Sequence, residues 1–529
     1  MTAKLIRILV FALVLLPSAR FVWVNRDMPQ FAYLHDDGIL FTSAKSVAMG
    51  QGYRIQSLPE QPSQTKQPPL YPLLLSLVWR INPSFPDNLV LASAVAWTFL
   101  GISLGLAGWY FKQNGFSEPQ AWIMLALLGL NPYMVLFGST MFSEIPFTCL
   151  VIATLLFARQ NSKAALAATI AAAACAYLTR TAGIVLFLTV PLLWWMEKPD
   201  KWLQRSISFL LGVLPFALVW PIWAALHRPA SMDLTMSYYV DYLGYQFLNV
   251  DLSNFAVVLW KNADQILYGM GALALPKIAD ALPMKLLTQV IGMAMIAGVG
   301  KLFRKNLLRD YALFAIGSVL ILLVWHFPTT ERFVLPLYPL LLAGLIAELT
   351  HLDSMLKKAI RHKDMGQRVT AAGFGTAVAA LLLCAVGVQA FMTFYYLNQT
   401  ANQQRLQLTA RRSAYQWMDA NLPASATVLS YDDPLLYLYT ARRGNYLPLL
   451  PRWWYAEDHQ SMQRAYRDLP DYCRRRGLQY VFFTDHDLSR ETGAADQEAI
   501  SKLVHSNPDL IPIYNQTSGT VFRVRTKHP

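Results

Sequence analysis

About eleven apolar runs, each near the length that crosses a lipid bilayer, follow one another from the N-terminus to residue 392. They lie near 5–23, 88–111, 119–138, 144–158, 164–178, 181–196, 207–226, 284–300, 311–326, 333–349 and 370–392. Only 15% of the 529 residues are charged, where a soluble chain carries about 25%, and 55% are hydrophobic. The expected fold class is therefore an α-helical polytopic membrane protein. The stretch 70–79 is apolar but too short to cross, so a helix lying along the outer surface is predicted there. Beyond residue 392 the sequence turns polar. The expected domains are a membrane domain, 1–392, and a soluble domain, 393–529.

The net charge of +13 does not point to nucleic acid, because no basic face interleaved with aromatics accompanies it. The cations sit instead in alternate loops. One set holds Lys4 and Arg7, Lys112, Arg159 and Lys163, Lys198, Lys201 and Arg205, Lys301, Arg304, Lys305 and Arg309, then Lys357, Lys358, Arg361, Lys363 and Arg368. The opposite short loops hold little besides Arg180 and the Glu331–Arg332 pair. This is the positive-inside pattern. It predicts a cytoplasmic N-terminus, a first span that is retained, and three outward parts: loop 24–87, loop 227–283 and the C-terminal domain. In a bacterium these face the periplasm from the inner membrane. The four cysteines suggest neither a disulfide framework nor a zinc site.

Outward charges have no topological reason to exist, so they are the candidates for function. His35-Asp36-Asp37 opens a helical segment that ends near Gly50-Gln51-Gly52-Tyr53-Arg54. Adjacent carboxylates repel and suit a general base; an aspartate before an apolar helix also serves as an N-cap, and both readings stand. Lys66 precedes Gln67-Pro68-Pro69, whose prolines fix an extended entry into the surface helix. It either holds a lipid phosphate or reaches toward the headgroups. Glu144 begins a span after an outward turn, Arg180 ends another, and His326-Phe327-Pro328-Thr329-Thr330-Glu331-Arg332 adds a further carboxylate and guanidinium. Each serves equally as an interfacial anchor. Arg54 joins the substrate-binding candidates.

Carboxylates and cations gathered on one side suit transfer of a sugar from a polyprenyl phosphate. The departing phosphate gains negative charge that Lys and Arg stabilise, while a carboxylate takes the proton of the acceptor hydroxyl. Displacement with one base inverts the anomeric centre; retention calls for a second carboxylate as nucleophile. The expected partners are a polyprenyl-phosphate-linked sugar donor, membrane lipids and a periplasmic acceptor, whether protein hydroxyl, lipid A or another glycan. No resident cofactor is expected, although acidic oxygens leave Mg²⁺ or Mn²⁺ open.

DDGILFTSAKSVAMGQGYR at 36–54, KQPPLYPLLLSL at 66–77, SEIPF at 143–147, LTRTAG at 178–183 and ERFVLPLYPLLL at 331–342 carry a resemblance. In that order and topology the chain resembles the GT-C glycosyltransferases, in the branch of protein O-mannosyltransferases and aminoarabinose-to-lipid A transferases. The resemblance covers roughly 1–392. It implies the GT-C fold, a catalytic base in the first outer loop matched best by Asp36 with Asp37 beside it, and a lipid phosphate held by Lys66 and the outer arginines. The aminoarabinose branch tends to carry Glu-Lys-Pro-Pro where this chain has Lys66-Gln67-Pro68-Pro69.

The C-terminal segment alternates predicted helices (403–420, from Pro434, 461–476) with strands (426–431, 479–484, 511–515, 520–525), an α/β pattern. Asp432-Asp433 ends a strand, a position suited to a site, but turn chemistry explains it more simply; Asp485-His486-Asp487 invites a metal reading but, with no further His or Cys cluster, is read as a loop; Arg474–Arg476 reads as a solvated helix end. Two other function classes stand beside the transferase. A lipid transporter or flippase calls for internal repeats and mid-membrane ionisable groups, which the sequence lacks. A non-catalytic polysaccharide-assembly protein has no need of Asp36-Asp37.

Overall fold

A computed structural model describes residues 2–32, 35–246, 252–277, 281–325, 330–361, 365–487 and 492–526. His326, Phe327, Pro328 and Thr329, singled out in the sequence, lie outside them. Each apolar run is helical. The first becomes Thr2–Val24, the second Leu89–Gln113, and the last four Leu282–Arg304, Arg309–Leu323, Tyr338–Ile360 and Met365–Phe391. The run expected at 119–138 is two helices, Glu118–Leu130 and Pro132–Phe137. Pro132 removes a backbone donor, and the Asn131 side chain accepts from the Tyr133 and Met134 amides, restarting the helix.

Among the described residues six helices are long and apolar enough to cross a membrane: Lys4–Val24, Leu89–Gln113, Trp202–Leu226, Leu282–Arg304, Glu331–Ile360 and Met365–Asn421. The apolar helices Glu144–Ala158, Lys163–Thr179 and Thr181–Glu197 are shorter, so the expected count of about eleven is not reached by length alone. Leu70–Ile81 is the predicted short helix. At about 1.5 Å per residue it is too short to span. It buries Tyr71, Leu75 and Trp79 and exposes Leu73, Leu77 and Ile81.

The chain forms two compact units. The first comprises Met1–Arg26, Ser93–Val219 and Leu259–Gln399, and it is helical. Close helix packing within it relies on small residues. A Cβ on Gly298 of Leu282–Arg304 would lie 1.8 Å from the Gly344 carbonyl oxygen of Tyr338–Ile360, so only glycine lets these backbones meet.

The second unit comprises Asp27–Ala92, Trp220–Val258 and Thr400–Pro529. Both predicted outer loops contribute to it along with the C-terminal segment. Its sheet has strands β1 (Thr427–Ser430), β2 (Arg443–Asn445), β3 (Tyr480–Phe483), β4 (Leu510–Gln516) and β5 (Gly519–Val524), ordered β2-β1-β3-β5-β4. β1 runs parallel to β2 and β3, and β5 runs antiparallel to β3 and β4. Leu429, Val481, Phe483 and Phe522 build the core with Leu469, Cys473, Ile500 and Val504 from the covering helices. Burial pushes the Cys473 thiol up to about 12, which leaves it inert. A second core joins Ile39, Ile55 and Leu58 of the first outer loop to Met236, Tyr239 and Val240 of the later one.

The expected helix 461–476 is also two, His459–Arg467 and Leu469–Arg476, with Pro470 in the first turn of the second. Its end is solvated only in part: Arg475 is exposed as expected, but Arg476 is not. The Arg476 side chain is 12% exposed and pairs with Glu60 at 2.7 Å and Asp233 at 3.0 Å, because the outer loops cover that face.

Candidate active site

In the second unit, helix Asp36–Ala48 starts where the sequence predicts, but its aspartates do not act as its N-cap. The capping position is His35, with φ 65° and ψ −46°, a positive-φ conformation outside the left-handed helical region and costly for a residue bearing a Cβ. Asp37 is fully buried. Its Oδ2 accepts from the Ala32 amide and its Oδ1 from the Gly38 amide, both at 3.1 Å. Asp36, next to it, is half-buried. The two adjacent carboxylates therefore differ: one is built into the backbone, and the other has more access to solvent.

The His35 ring is bound on both sides. Nδ1 lies 2.9 Å from the Tyr238 hydroxyl and Nε2 lies 2.7 Å from Asp433 Oδ1. Tyr239 donates its hydroxyl to the same Asp433 oxygen and accepts from the Tyr446 amide at 3.1 Å. Burial, with the Asp433 carboxylate beside it, pushes the Tyr239 phenol well above the ordinary tyrosine value, so it stays a neutral donor. Helix Leu234–Val240 places both tyrosines; Asp233 caps it by accepting from the Met236 amide at 2.7 Å.

Lys66 reaches the same helix. Its Nζ donates to the Tyr238 carbonyl oxygen at 2.6 Å and stands 4.5 Å from the centre of the Tyr238 ring, a cation–π arrangement. The loop before it is pinned: Gln64 Oε1 accepts from the Lys66 and Gln67 amides, and the Thr65 hydroxyl donates to the Val240 carbonyl. Tyr238 thus touches both His35 and Lys66. Arg54 is exposed and donates to the Gln61 carbonyl, within its own small hairpin.

In the first unit the structure brings three predicted residues together. Glu144, fully buried at the start of Glu144–Ala158, forms an ion pair with Arg180 Nη1 at 2.8 Å and accepts from Arg332 Nε through its Oε1. Arg180 also donates to the Ser143 hydroxyl, and the Arg332 guanidinium lies 4.3 Å from the centre of the Phe142 ring. Two guanidiniums against one carboxylate leave a net positive charge on the cluster. The Glu144 Oε2 atom is buried with no hydrogen-bond partner among the described residues. Glu331, although next in sequence to Arg332, lines a cavity of about 430 Å³ with Asp264, Tyr268, Lys277 and Lys285. Sequence patterning did not single out those four residues.

Asp433, for which turn chemistry is the simpler reading from sequence, stands at the carboxyl end of a strand followed by a helix, where open α/β sheets carry their sites, and it has the buried partners described above. The end of β3 repeats this. Asp487 accepts from the Thr484 amide at 2.9 Å and pairs with Arg411, which also pairs with Asp432. Burial raises the Asp487 carboxyl above the ordinary range. Among the described residues no group of His, Cys, Asp and Glu side chains is arranged to hold a metal ion.

No protein-family model matches the chain, and no curated protein matches it. Solved structures do. ArnT from Cupriavidus metallidurans bound to undecaprenyl phosphate is similar with a TM-score of 0.55 at 13% identity, over 99% of this chain and 98% of that one. The same enzyme in the apo state gives 0.53 at 12% identity over the same shares. At these identities the likeness is one of fold.

Proposed function

We propose that this chain, which has the GT-C fold, is an inverting glycosyltransferase of the bacterial inner membrane that uses a polyprenyl-phosphate-linked sugar. The observation that carries the reading is the first outer loop. There a half-buried Asp36 stands beside a backbone-locked Asp37, and the Lys66 ammonium is joined through Tyr238 to the residue preceding Asp36. The bound undecaprenyl phosphate of the ArnT structure supports the donor class.

In the proposed reaction the acceptor hydroxyl oxygen attacks the anomeric carbon from the face opposite the phosphate. Asp36 takes the hydroxyl proton, the new C–O bond forms, and the bond from the anomeric carbon to the phosphate oxygen breaks. Its electron pair stays on the polyprenyl phosphate. Lys66 stabilises that charge, and the net positive Arg180–Glu144–Arg332 cluster is a second group suited to an anion. Asp37 shapes the turn. The acceptor is a periplasmic protein hydroxyl, lipid A or another glycan. The shorter apolar helices cross the bilayer as well, where it thins locally and their flanking residues snorkel to its surface, for about eleven spans in all, with the N-terminus cytoplasmic. The proposed reaction includes no resident metal, and the assay below tests that with EDTA.

The test is a transfer assay with purified protein, labelled undecaprenyl-phosphate sugars and a membrane extract as acceptor source, run with and without EDTA. Wild type is expected to move label at an unchanged rate in EDTA, and Asp36→Asn to lose at least about 100-fold, the scale of a missing general base. Full activity in Asp36→Asn removes it as the base. Binding of undecaprenyl phosphate with transfer from no donor rejects the transferase reading.

A further inference from the structure

We infer that the C-terminal domain supplies a positioning residue of the transfer reaction, Asp433, which acts through His35 to fix the start of the helix that carries Asp36 and Asp37. The catalytic consequence rests on the transferase reading above; the positioning itself rests on geometry alone.

Asp433 is fully buried, yet it does not cap its own helix, Asp433–Thr440. Its Oδ1 takes the His35 ring and the Tyr239 hydroxyl, and its Oδ2 has no hydrogen-bond partner among the described residues. Burying a carboxylate is unfavourable unless its bonds repay the lost water, and here they go to the two outer loops rather than to the local turn. His35 needs such support. Its φ of 65° is a conformation that side chains with a Cβ rarely adopt, so the surrounding contacts must hold it. With Asp433 on Nε2 and Tyr238 on Nδ1, the ring cannot turn without breaking a buried bond.

The anchor is passed on to the carboxylates through the backbone. The His35 amide donates to the Ala32 carbonyl at 3.0 Å, and the Ala32 amide donates to Asp37 Oδ2. His35 is thus bonded to Ala32, and Ala32 in turn to Asp37. Direct packing adds to it: the Gly38 Cα faces Pro434, next to Asp433, closely enough that a Cβ would lie 2.9 Å from the proline Cβ. His35 itself is 8% exposed with both nitrogens engaged, which makes it a poor group for meeting substrate.

The experiment uses full-length protein in detergent as wild type, Asp433→Asn, His35→Asn and the double variant. His35→Asn removes the ring and keeps a short polar side chain at this position. Amide hydrogen exchange of helix Asp36–Ala48 is expected to quicken at least about 10-fold in Asp433→Asn while β1 and β3 keep their protection. For whichever labelled undecaprenyl-phosphate sugar the wild type uses, kcat is expected to fall about 10- to 100-fold with donor KM within about threefold. The double variant is expected to be no worse than the worse single, as for residues acting through one chain of contacts.

Unchanged exchange in the helix, a loss carried by KM, or multiplicative losses would each overturn the proposal. Should Asp433→Asn not fold, Tyr238→Phe removes the hydrogen bond on the other side of the ring, and the same two readouts decide. Faster exchange together with a wild type that transfers from no donor overturns the transferase reading, and the catalytic role of Asp433 falls with it. Unchanged exchange with an active wild type overturns the positioning role alone.

Discussion

Arg159 and Asp310 form a two-pronged ion pair, Nε to Oδ2 at 2.7 Å and Nη2 to Oδ1 at 2.8 Å, with the carboxylate wholly buried. The Tyr110 hydroxyl donates to the same Asp310 oxygen at 2.5 Å. A cation that the loop pattern assigns to topology therefore also ties together the ends of three helices. Removing one partner strands a buried charge, at a cost of about 3–5 kcal/mol. Arg159→Ala and Asp310→Asn are expected to lower the melting temperature in detergent markedly. Arg159→Lys should recover little, since an ammonium cannot reproduce the planar fork.

Gly38→Ala offers a test of sign. In an exposed helix the change stabilises by about 1 kcal/mol. Here the new methyl would meet Pro434 at 2.9 Å and Ala32 at 3.2 Å. Overpacking of this kind costs about 1–3 kcal/mol, so thermal unfolding should show a net loss.

Lys66→Gln keeps a side chain of similar length and a donor toward the Tyr238 carbonyl, but removes the charge. If the ammonium holds the donor phosphate, kcat/KM for a labelled undecaprenyl-phosphate sugar should fall about 10- to 100-fold, since charge-assisted bonds to phosphate are about twice as strong as neutral ones. The loss should shrink as salt rises, to the extent that the site is open to ions. An unchanged kcat/KM would remove Lys66 from the binding machinery.

Asp27 and Arg405 pair through both carboxylate oxygens, at 2.7 and 2.8 Å. The Arg405 hydrogen bonds hold the Asp27 carboxyl below its ordinary value of 3.8, despite some burial. A depressed folded pKa means that the unfolded chain binds the proton first. The stabilisation is therefore complete above the ordinary value and lost as pH falls through the depressed one. Asp27 is half exposed, so solvent screening limits the pair to at most about 1 kcal/mol. The stability gap between wild type and Asp27→Asn should be present at pH 7 and close below pH 3.8, as thermal scans across that range would show.

The legible parts of the site are those whose signal is local. Asp36 and Asp37 open a helix because an apolar repeat follows them, and Lys66 precedes a proline pair that sets the next helix. Glu144, Arg180 and Arg332 stand out because a charge at the end of an apolar run needs a reason. What was not legible depends on partners far away in the chain. Asp433 looks like a turn residue until His35, 398 positions earlier, is placed against it. Arg476 looks solvated until Glu60 and Asp233 cover it. β2, only Arg443–Asn445, has no strand pattern of its own and is a strand because β1 offers it a parallel ladder.

The sequence by itself determined the apolar helices, the charge asymmetry of their loops, four of the five strands and the polar residues set apart for chemistry, because each follows from hydropathy, periodicity or turn preference within a short window. Only the tertiary structure decided that the first outer loop, the part of the second up to Val258 and the C-terminal segment form one compact unit. It also decided that two arginines share one glutamate, and that a buried aspartate of the C-terminal domain grips the histidine ahead of Asp36. A buried polar group must find its partner wherever the chain brings one, and no local window records which segment that will be.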